Sequence, residues 1–217
     1  IRIQDEKEKL SQLRALQAQI NPHFIFNAMD MVNWLALSRG CDDIAEIVSS
    51  IASLMRYSIT EADSMVPVAL ELENIREFIS IYQLRHNSRP VLQTDIHGET
   101  VLIPKFTLQP LVGNAVRHAR PLPEQELRIE IHAWAEQERT LIEVHDNGMG
   151  CNADELNRHL RYEETSLQIS SGFGIRNVNE RITLRFGSAS GLVYQNETDG
   201  SLTARITLCA SQPEGTQ

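Results

Sequence analysis

Residues 144–150 read Val144-His145-Asp146-Asn147-Gly148-Met149-Gly150. The residues before Asp146 read as a β-strand. A carboxylate therefore stands at a strand end, with a Gly-x-Gly turn directly behind it. An Asp in that place can accept a hydrogen bond from an exocyclic amine, and glycines let a backbone approach a flat ring closely. Taken alone, the same string also fits a plain hairpin or a helix-entry turn, so its flanks decide the reading.

Upstream, Leu108-Gln109-Pro110-Leu111-Val112-Gly113-Asn114-Ala115-Val116-Arg117-His118-Ala119 reads as a helix with Asn114 among apolar residues. Its amide oxygen suits Mg²⁺, a hard ion that shares its shell with substrate phosphates. Downstream, Gly172-Phe173-Gly174-Ile175-Arg176-Asn177-Val178 places glycines at a helix N-terminus, where free N–H groups and the helix dipole favour phosphate. The stretch between the two glycine turns, 147–172, is polar and irregular. A loop of that length in a compact domain is usually functional, often a lid. Each signal is weak alone, but their order is specific. No GxxxxGK[ST] occurs, and the GxGxxG spacing of dinucleotide sites is absent.

Around these strings the pattern predicts an α+β layer sandwich, a mixed sheet with helices on one face. Its parts are a helix over Leu70–Leu84, a strand over Val91–Ile96 and a helix that Pro104 opens and that runs to His118. Leu127–Trp134 and Thr140–His145 form a hairpin. A helix over Gly174–Phe186 precedes a second hairpin, Leu192–Gln195 with Leu202–Leu208. Gln212–Gln217 reads as a loose tail. Before this part lie two helices joined near Ser38–Asp43. Leu10, Gln17, Phe24 and Met31 fall seven apart, and Leu13, Ile20, Asn27 and Trp34 fall three residues after them, which are the a and d positions of a packed helix. Two such helices cannot bury their stripes alone, so a homodimer forming a four-helix bundle is expected. The domains are 1–62, dimerisation helices, and 63–217, the nucleotide-binding part.

The chain has 217 residues with a formal net charge of −9. That balance argues against direct nucleic-acid binding, which needs a basic face. Cys41, Cys151 and Cys209 lack CxxC spacing, which argues against a disulfide framework or a zinc site. No apolar run approaches the roughly 20 residues a membrane helix needs. The chain opens Ile1-Arg2-Ile3 rather than with Met, so a longer protein is expected, with any membrane segment in its N-terminal part.

The ordered set around Asn114, Asp146–Gly150 and Gly172–Gly174 resembles the N, G1 and G2 boxes of the GHKL nucleotide-binding superfamily. The N-terminal string Leu16-Gln17-Ala18-Gln19-Ile20-Asn21-Pro22-His23-Phe24-Ile25-Phe26-Asn27 is similar to the phosphoacceptor motif of LytS/YesM-type sensor histidine kinases. The likeness continues through Leu54–Ser58, Ile79–Arg85, Ile103–Lys105 and Gly174–Ile182. It implies the cytoplasmic core of a bacterial membrane sensor in a two-component system. ATP and Mg²⁺ would be held by Asn114 (the Mg²⁺ ligand), Arg117, His118, Asp146, Gly148, Gly150, Gly172, Gly174 and Asn177. His23 would be the phosphoacceptor, and the partner a response regulator, AraC-type in the YesM-like branch. With Phe24 at a and Asn27 at d, His23 falls at g, a flank that a separate ATP domain can reach.

Two positions depart from the pattern. Phe24 stands where many histidine kinases carry an acidic general base. Gly113 stands where the family usually has Glu beside the Asn of the N box. The latter motivates an alternative, a dimeric nucleotide-binding signalling module with weak or no autokinase activity. A GHKL ATPase or serine kinase is a further alternative, against which the PHFxFN string argues.

Overall fold

The computed structural model describes residues 22–59, 64–86, 90–97, 101–136, 138–149, 151–165 and 173–209. The expected heptad positions before Pro22, the glycines Gly150 and Gly172, and the expected tail lie outside these residues. The chain divides into two compact units, Ile1–Thr60 and Glu61–Gln217.

The first unit is a helical hairpin of α1 (Pro22–Ser38) and α2 (Asp42–Ile59). Gly40 makes the left-handed step between them, at φ 69°, where a Cβ would be strained. Small residues let the helices approach: Ala36, Ala45, Ser50 and Ala52 are buried. The Arg56 guanidinium lies 5.3 Å over the Phe26 ring, a cation–π contact. The expected heptad stripe is on the other side. Phe24, Met31 and Trp34 are 71%, 70% and 69% exposed in the single chain. A two-helix hairpin has one inner face, and the alanines occupy it.

The second unit opens with β1 (Met65–Pro67) and α3 (Val68–His86), followed by β2 (Val91–His97) and β3 (Leu102–Pro104). Next come α4 (Gln109–His118), β4 (Arg128–Glu136) and β5 (Arg139–Asp146). The unit closes with α5 (Ala153–Leu160), α6 (Phe173–Phe186), β6 (Gly191–Asn196) and β7 (Leu202–Cys209). Five strands form one mixed sheet in the order β2-β4-β5-β7-β6, with β2–β4 parallel and the other pairs antiparallel. β1 and β3 form a separate antiparallel pair.

Strand alternation builds the core. Ile129, Ile131 and Ala133 of β4, Ile142 and Val144 of β5, and Ala204, Ile206 and Leu208 of β7 are buried. They face Leu72, Ile75 and Ile79 of α3, Leu111, Val112, Ala115 and Val116 of α4, and Ile175, Val178 and Ile182 of α6, all in one cluster. The expected hairpins and the α3 and α6 helices stand within a few residues of their predicted bounds.

Two expectations need correction. Pro104 does not open a helix. It ends β3, and α4 begins at Gln109. The turn between holds Phe106 at φ 58°, a conformation costly for a bulky residue. The Phe106 N–H donates to Glu71 Oε1 at 2.7 Å, the Leu108 N–H donates to Glu71 Oε2 at 3.1 Å, and Arg181 Nη2 donates to the Phe106 carbonyl at 3.1 Å. A buried carboxylate from α3 thus satisfies the N–H groups before α4 and fixes where that helix starts. Lys105 is buried in the same turn; burial pushes its pKa down, and Glu71 opposes that.

The second correction concerns 147–172, which is not irregular throughout. It contains α5, capped by Asn152, whose side chain accepts from the Asp154 and Glu155 N–H groups. An Asn followed by acidic first-turn residues is a helix-start signal in the sequence. Helices also cover the sheet edge β6, where open N–H and C=O groups would invite pairing. Asn157 of α5 donates to the Tyr194 carbonyl and accepts from the Tyr194 N–H, both at 2.8 Å. Asn179 of α6 accepts from the Leu192 N–H at 2.8 Å.

Candidate functional site

β5 carries the alternation Ile142, Val144, Asp146 on its buried phase. The period of two that builds the core therefore turns a carboxylate inward. Asp146 is 8% exposed. Burial raises its pKa to about 6, against the opposing hydrogen bond from the Gly148 N–H to Oδ1 at 3.0 Å and the nearby His145. That bond is the only one this carboxylate makes among the described residues.

The turn after Asp146 is tightly locked. Asn147 Oδ1 accepts from the Arg128 N–H at 2.7 Å, and its amide nitrogen donates to the Glu126 carbonyl at 3.0 Å. The Met149 N–H donates to the Arg120 carbonyl at 2.9 Å. Gly148 lies against the chain leaving α4. A Cβ there would stand 2.5 Å from Ala119 Cβ, 2.6 Å from Ala119 Cα and 2.7 Å from Arg120 N. The protein's own backbone therefore needs the space that a Cβ would take. Gly174 differs, since a Cβ would meet only Pro110 Cβ at 3.6 Å.

A cavity of about 290 Å³ opens between α4 and the inward faces of β5, β6 and β7. Leu111, Asn114, Ala115 and His118 of α4 line one side. Val144, Asp146, Tyr194, Leu202 and Ala204 of the strands line another, with Gly148, Met149, Cys151, Leu156 and Ile175 closing the rest. An apolar pocket with a few convergent polar groups is the usual form of a small-molecule site. Four expected residues thus meet in one place: Asn114, His118, Asp146 and Gly148. Three do not line the cavity: Arg117, Gly174 and Asn177. Arg117 lies beside it. Its Nε donates to the Gly113 carbonyl at 2.9 Å, and its Nη2 reaches Asn114 Oδ1 at 3.5 Å. Asn177 is exposed on α6.

Electrostatics differ along the cavity. Burial lowers the His118 pKa, and Arg117 and Arg120 add to the effect, so this imidazole resists protonation. Burial raises the Cys151 pKa, with Asp146 contributing, which disfavours a reactive thiolate. The Tyr194 hydroxyl is buried without a hydrogen-bond partner among the described residues. Asn114 lies beside it outside hydrogen-bond geometry; burial pushes the phenol pKa up, and the amide opposes that. Sequence reasoning missed Tyr194 and Cys151. The alternation Leu192, Tyr194 on β6 was a legible signal for Tyr194, whereas nothing in the string marked Cys151.

Among the described residues, no cluster of three or more His, Cys, Asp or Glu side chains is placed to hold a metal. Mg²⁺ keeps waters and substrate phosphates and needs only one or two protein oxygens. Asn114 Oδ1 offers one at the cavity.

In the helical unit, His23 is exposed on α1. One turn on, Asn27 Nδ2 lies 3.2 Å from His23 Nδ1.

Residues 11–90 match the family described as Histidine kinase, and residues 103–213 match Histidine kinase-, DNA gyrase B-, and HSP90-like ATPase. The chain is 35% identical over 202 residues to the sensor histidine kinase YesM of Bacillus subtilis, covering 92% of this chain and 33% of that protein. It is 31% identical over 192 residues to the sensor protein LytS of Bacillus anthracis, covering 87% and 32% respectively. It thus spans about a third of the length of these relatives. Among solved structures, the fold is shared with the Acinetobacter baumannii histidine kinase AdeS (TM-score 0.52, 11% identity, 88% of this chain and 96% of that one). It is shared also with the catalytic domain of the histidine kinase ThkA (TM-score 0.53, 12% identity, 69% and 96%).

Proposed function

Because the chain belongs to the sensor histidine kinases of the LytS/YesM type, we propose that it is an autophosphorylating kinase core that uses Mg-ATP and His23. The observation that carries this reading is the cavity that joins Asn114 to the buried carboxylate of Asp146. Asp146, when ionised, accepts the exocyclic amine of the base. Asn114 would hold Mg²⁺, which when bound would supply charge neutralisation for the departing diphosphate. Arg117 and His118 stand next to the phosphates, and the assignment of Gly172, Gly174 and Asn177 to phosphate contacts rests on the resemblance alone.

The transfer is a displacement at phosphorus. An imidazole nitrogen of His23 forms the N–P bond as the bond from the γ-phosphorus to the bridging oxygen breaks. ADP leaves with that electron pair, and the imidazole proton passes to solvent. Positioning and charge neutralisation supply most of the catalysis.

The exposed stripe of Phe24, Met31 and Trp34 supports a homodimer. The phosphoryl acceptor is an aspartate of a response regulator. Its AraC type, and the anchoring of the longer protein in a bacterial cell membrane, rest on the resemblance alone. No described helix is long and apolar enough to cross a membrane.

One observation favours the second reading, a nucleotide-binding module with little transfer activity. Gly113 is buried beside Asn114 and brings no carboxylate to the site. The test of both is incubation of the chain with γ-labelled ATP and Mg²⁺, beside His23→Ala and Gly113→Glu. Acid-labile label that vanishes in His23→Ala supports the kinase. Label that persists in His23→Ala removes His23 as acceptor. Nucleotide binding without label, with label appearing in Gly113→Glu, establishes the second reading.

A further inference from the structure

Tyr194 sits on the inward phase of β6 with Leu192, and its strand position is pinned by the paired hydrogen bonds of Asn157 to its own N–H and carbonyl. The ring is 6% exposed and lines the cavity that holds Asn114 and Asp146. Its hydroxyl oxygen is buried and makes no hydrogen bond among the described residues. A phenylalanine would fill the same volume without an unsatisfied oxygen, so packing does not account for the hydroxyl. Buried polar groups are nearly always paired, and the space beside this one is the ligand cavity.

We propose that Tyr194 is a specificity-determining residue that hydrogen-bonds the base of the bound nucleotide, next to the amine taken by Asp146. This rests on the nucleotide-binding reading above and deepens it. A phenol carries its proton at neutral pH, so the hydroxyl can act as a donor. A donor that shares the cavity with the Asp146 acceptor matches adenine, which presents an amine donor next to a ring-nitrogen acceptor. Guanine presents a carbonyl acceptor where adenine has the amine, which sets it against the carboxylate. The remaining cavity walls are mostly apolar, including Leu111, Leu156, Ile175 and Ala204. Two polar groups therefore orient the base between greasy faces.

The test is Tyr194→Phe in the full chain, with ADP affinity measured by calorimetry with and without Mg²⁺. Loss of one neutral hydrogen bond predicts roughly 3- to 10-fold weaker ADP binding. The factor is the same in both conditions, because the contact is at the base. The unfolding midpoint without nucleotide stays the same or rises, since only an unpartnered oxygen is removed. ADP affinity equal to wild type overturns the proposal, as does a fall in the nucleotide-free midpoint, which would reveal a partner within the protein. A loss seen only with Mg²⁺ also overturns it, because the hydroxyl then acts through Asn114 and the metal. If the wild-type chain binds no ADP, the nucleotide reading itself fails, and this inference with it.

Discussion

Replacing Asp146 by Asn is expected to stabilise the nucleotide-free protein while abolishing its affinity for ATP. Burial raises the Asp146 pKa from an ordinary 3.8 to about 6. Above pH 6 the carboxylate is ionised in both states, and only the folded state holds that charge out of water. At about 1.36 kcal/mol per pH unit, the displacement amounts to about 3 kcal/mol of destabilisation at neutral pH. Asn keeps an oxygen for the Gly148 N–H and carries no charge, so a gain of about 1–3 kcal/mol is expected near pH 7.5. The sign follows from proton linkage: the native state binds more protons than the unfolded state between pH 3.8 and 6, so wild-type stability falls as pH rises through that window. The advantage of Asp146→Asn therefore shrinks towards zero as pH falls below about 4. Urea unfolding in a Trp34→Phe background, which leaves Trp134 of β4 as the only tryptophan, reads the sheet directly. An Asn variant no more stable than wild type near pH 7.5, or a gain independent of pH, refutes the reasoning.

The same titration acts on binding: ATP affinity measured by calorimetry should decline as pH falls through about 6, because protonated Asp146 loses charge as an acceptor. Gly148→Ala forces a Cβ against the Ala119–Arg120 backbone and should cost about 1–3 kcal/mol, whereas Gly174→Ala should leave the nucleotide-free unfolding midpoint nearly unchanged. Gly113 has a Cβ environment of ordinary contacts, 3.6 Å to Arg117 and 3.8 Å to Phe78, so Gly113→Ala should stabilise α4 by about 0.5–1 kcal/mol in thermal unfolding. Met31→Glu with Trp34→Glu places charge on the exposed stripe of α1, and light scattering should report a monomer where the wild type is a dimer.

Much of the second unit was legible because its strands alternate cleanly. The hairpin of β4 and β5 and the burial of Ile129, Ile131, Ile142 and Val144 follow from period alone. The start of α4 was not legible. Pro104 looked like a helix opener, but Glu71, more than thirty residues upstream, binds the Phe106 and Leu108 N–H groups and delays the helix. The parallel pairing of β2 with β4 and the small β1–β3 ladder were equally hidden, since long-range pairing leaves no mark at short range. The helix α5 differs: Asn152 and its acidic followers signal its start, but the polar composition of the string between the glycines points to loop.

By itself, the sequence determined the order of the chemical groups. It named His23 in its PHFxFN string, Asn114 on a helix and Asp146 at a strand end before a glycine turn. Those signals are local, carried by residue type and spacing within a dozen residues. Only the tertiary structure decided which groups share a cavity and in what state. Sheet register sets Tyr194 of β6 opposite Ala204 and Asp146 of β5 opposite Leu202, so two side chains almost fifty residues apart line one pocket. The desolvation that raises the Asp146 pKa is a property of that assembled neighbourhood, because a charge is destabilised by water removed from every side. The close approach that makes Gly148 necessary has the same origin: it is Ala119 and Arg120, distant in sequence, that fill the space.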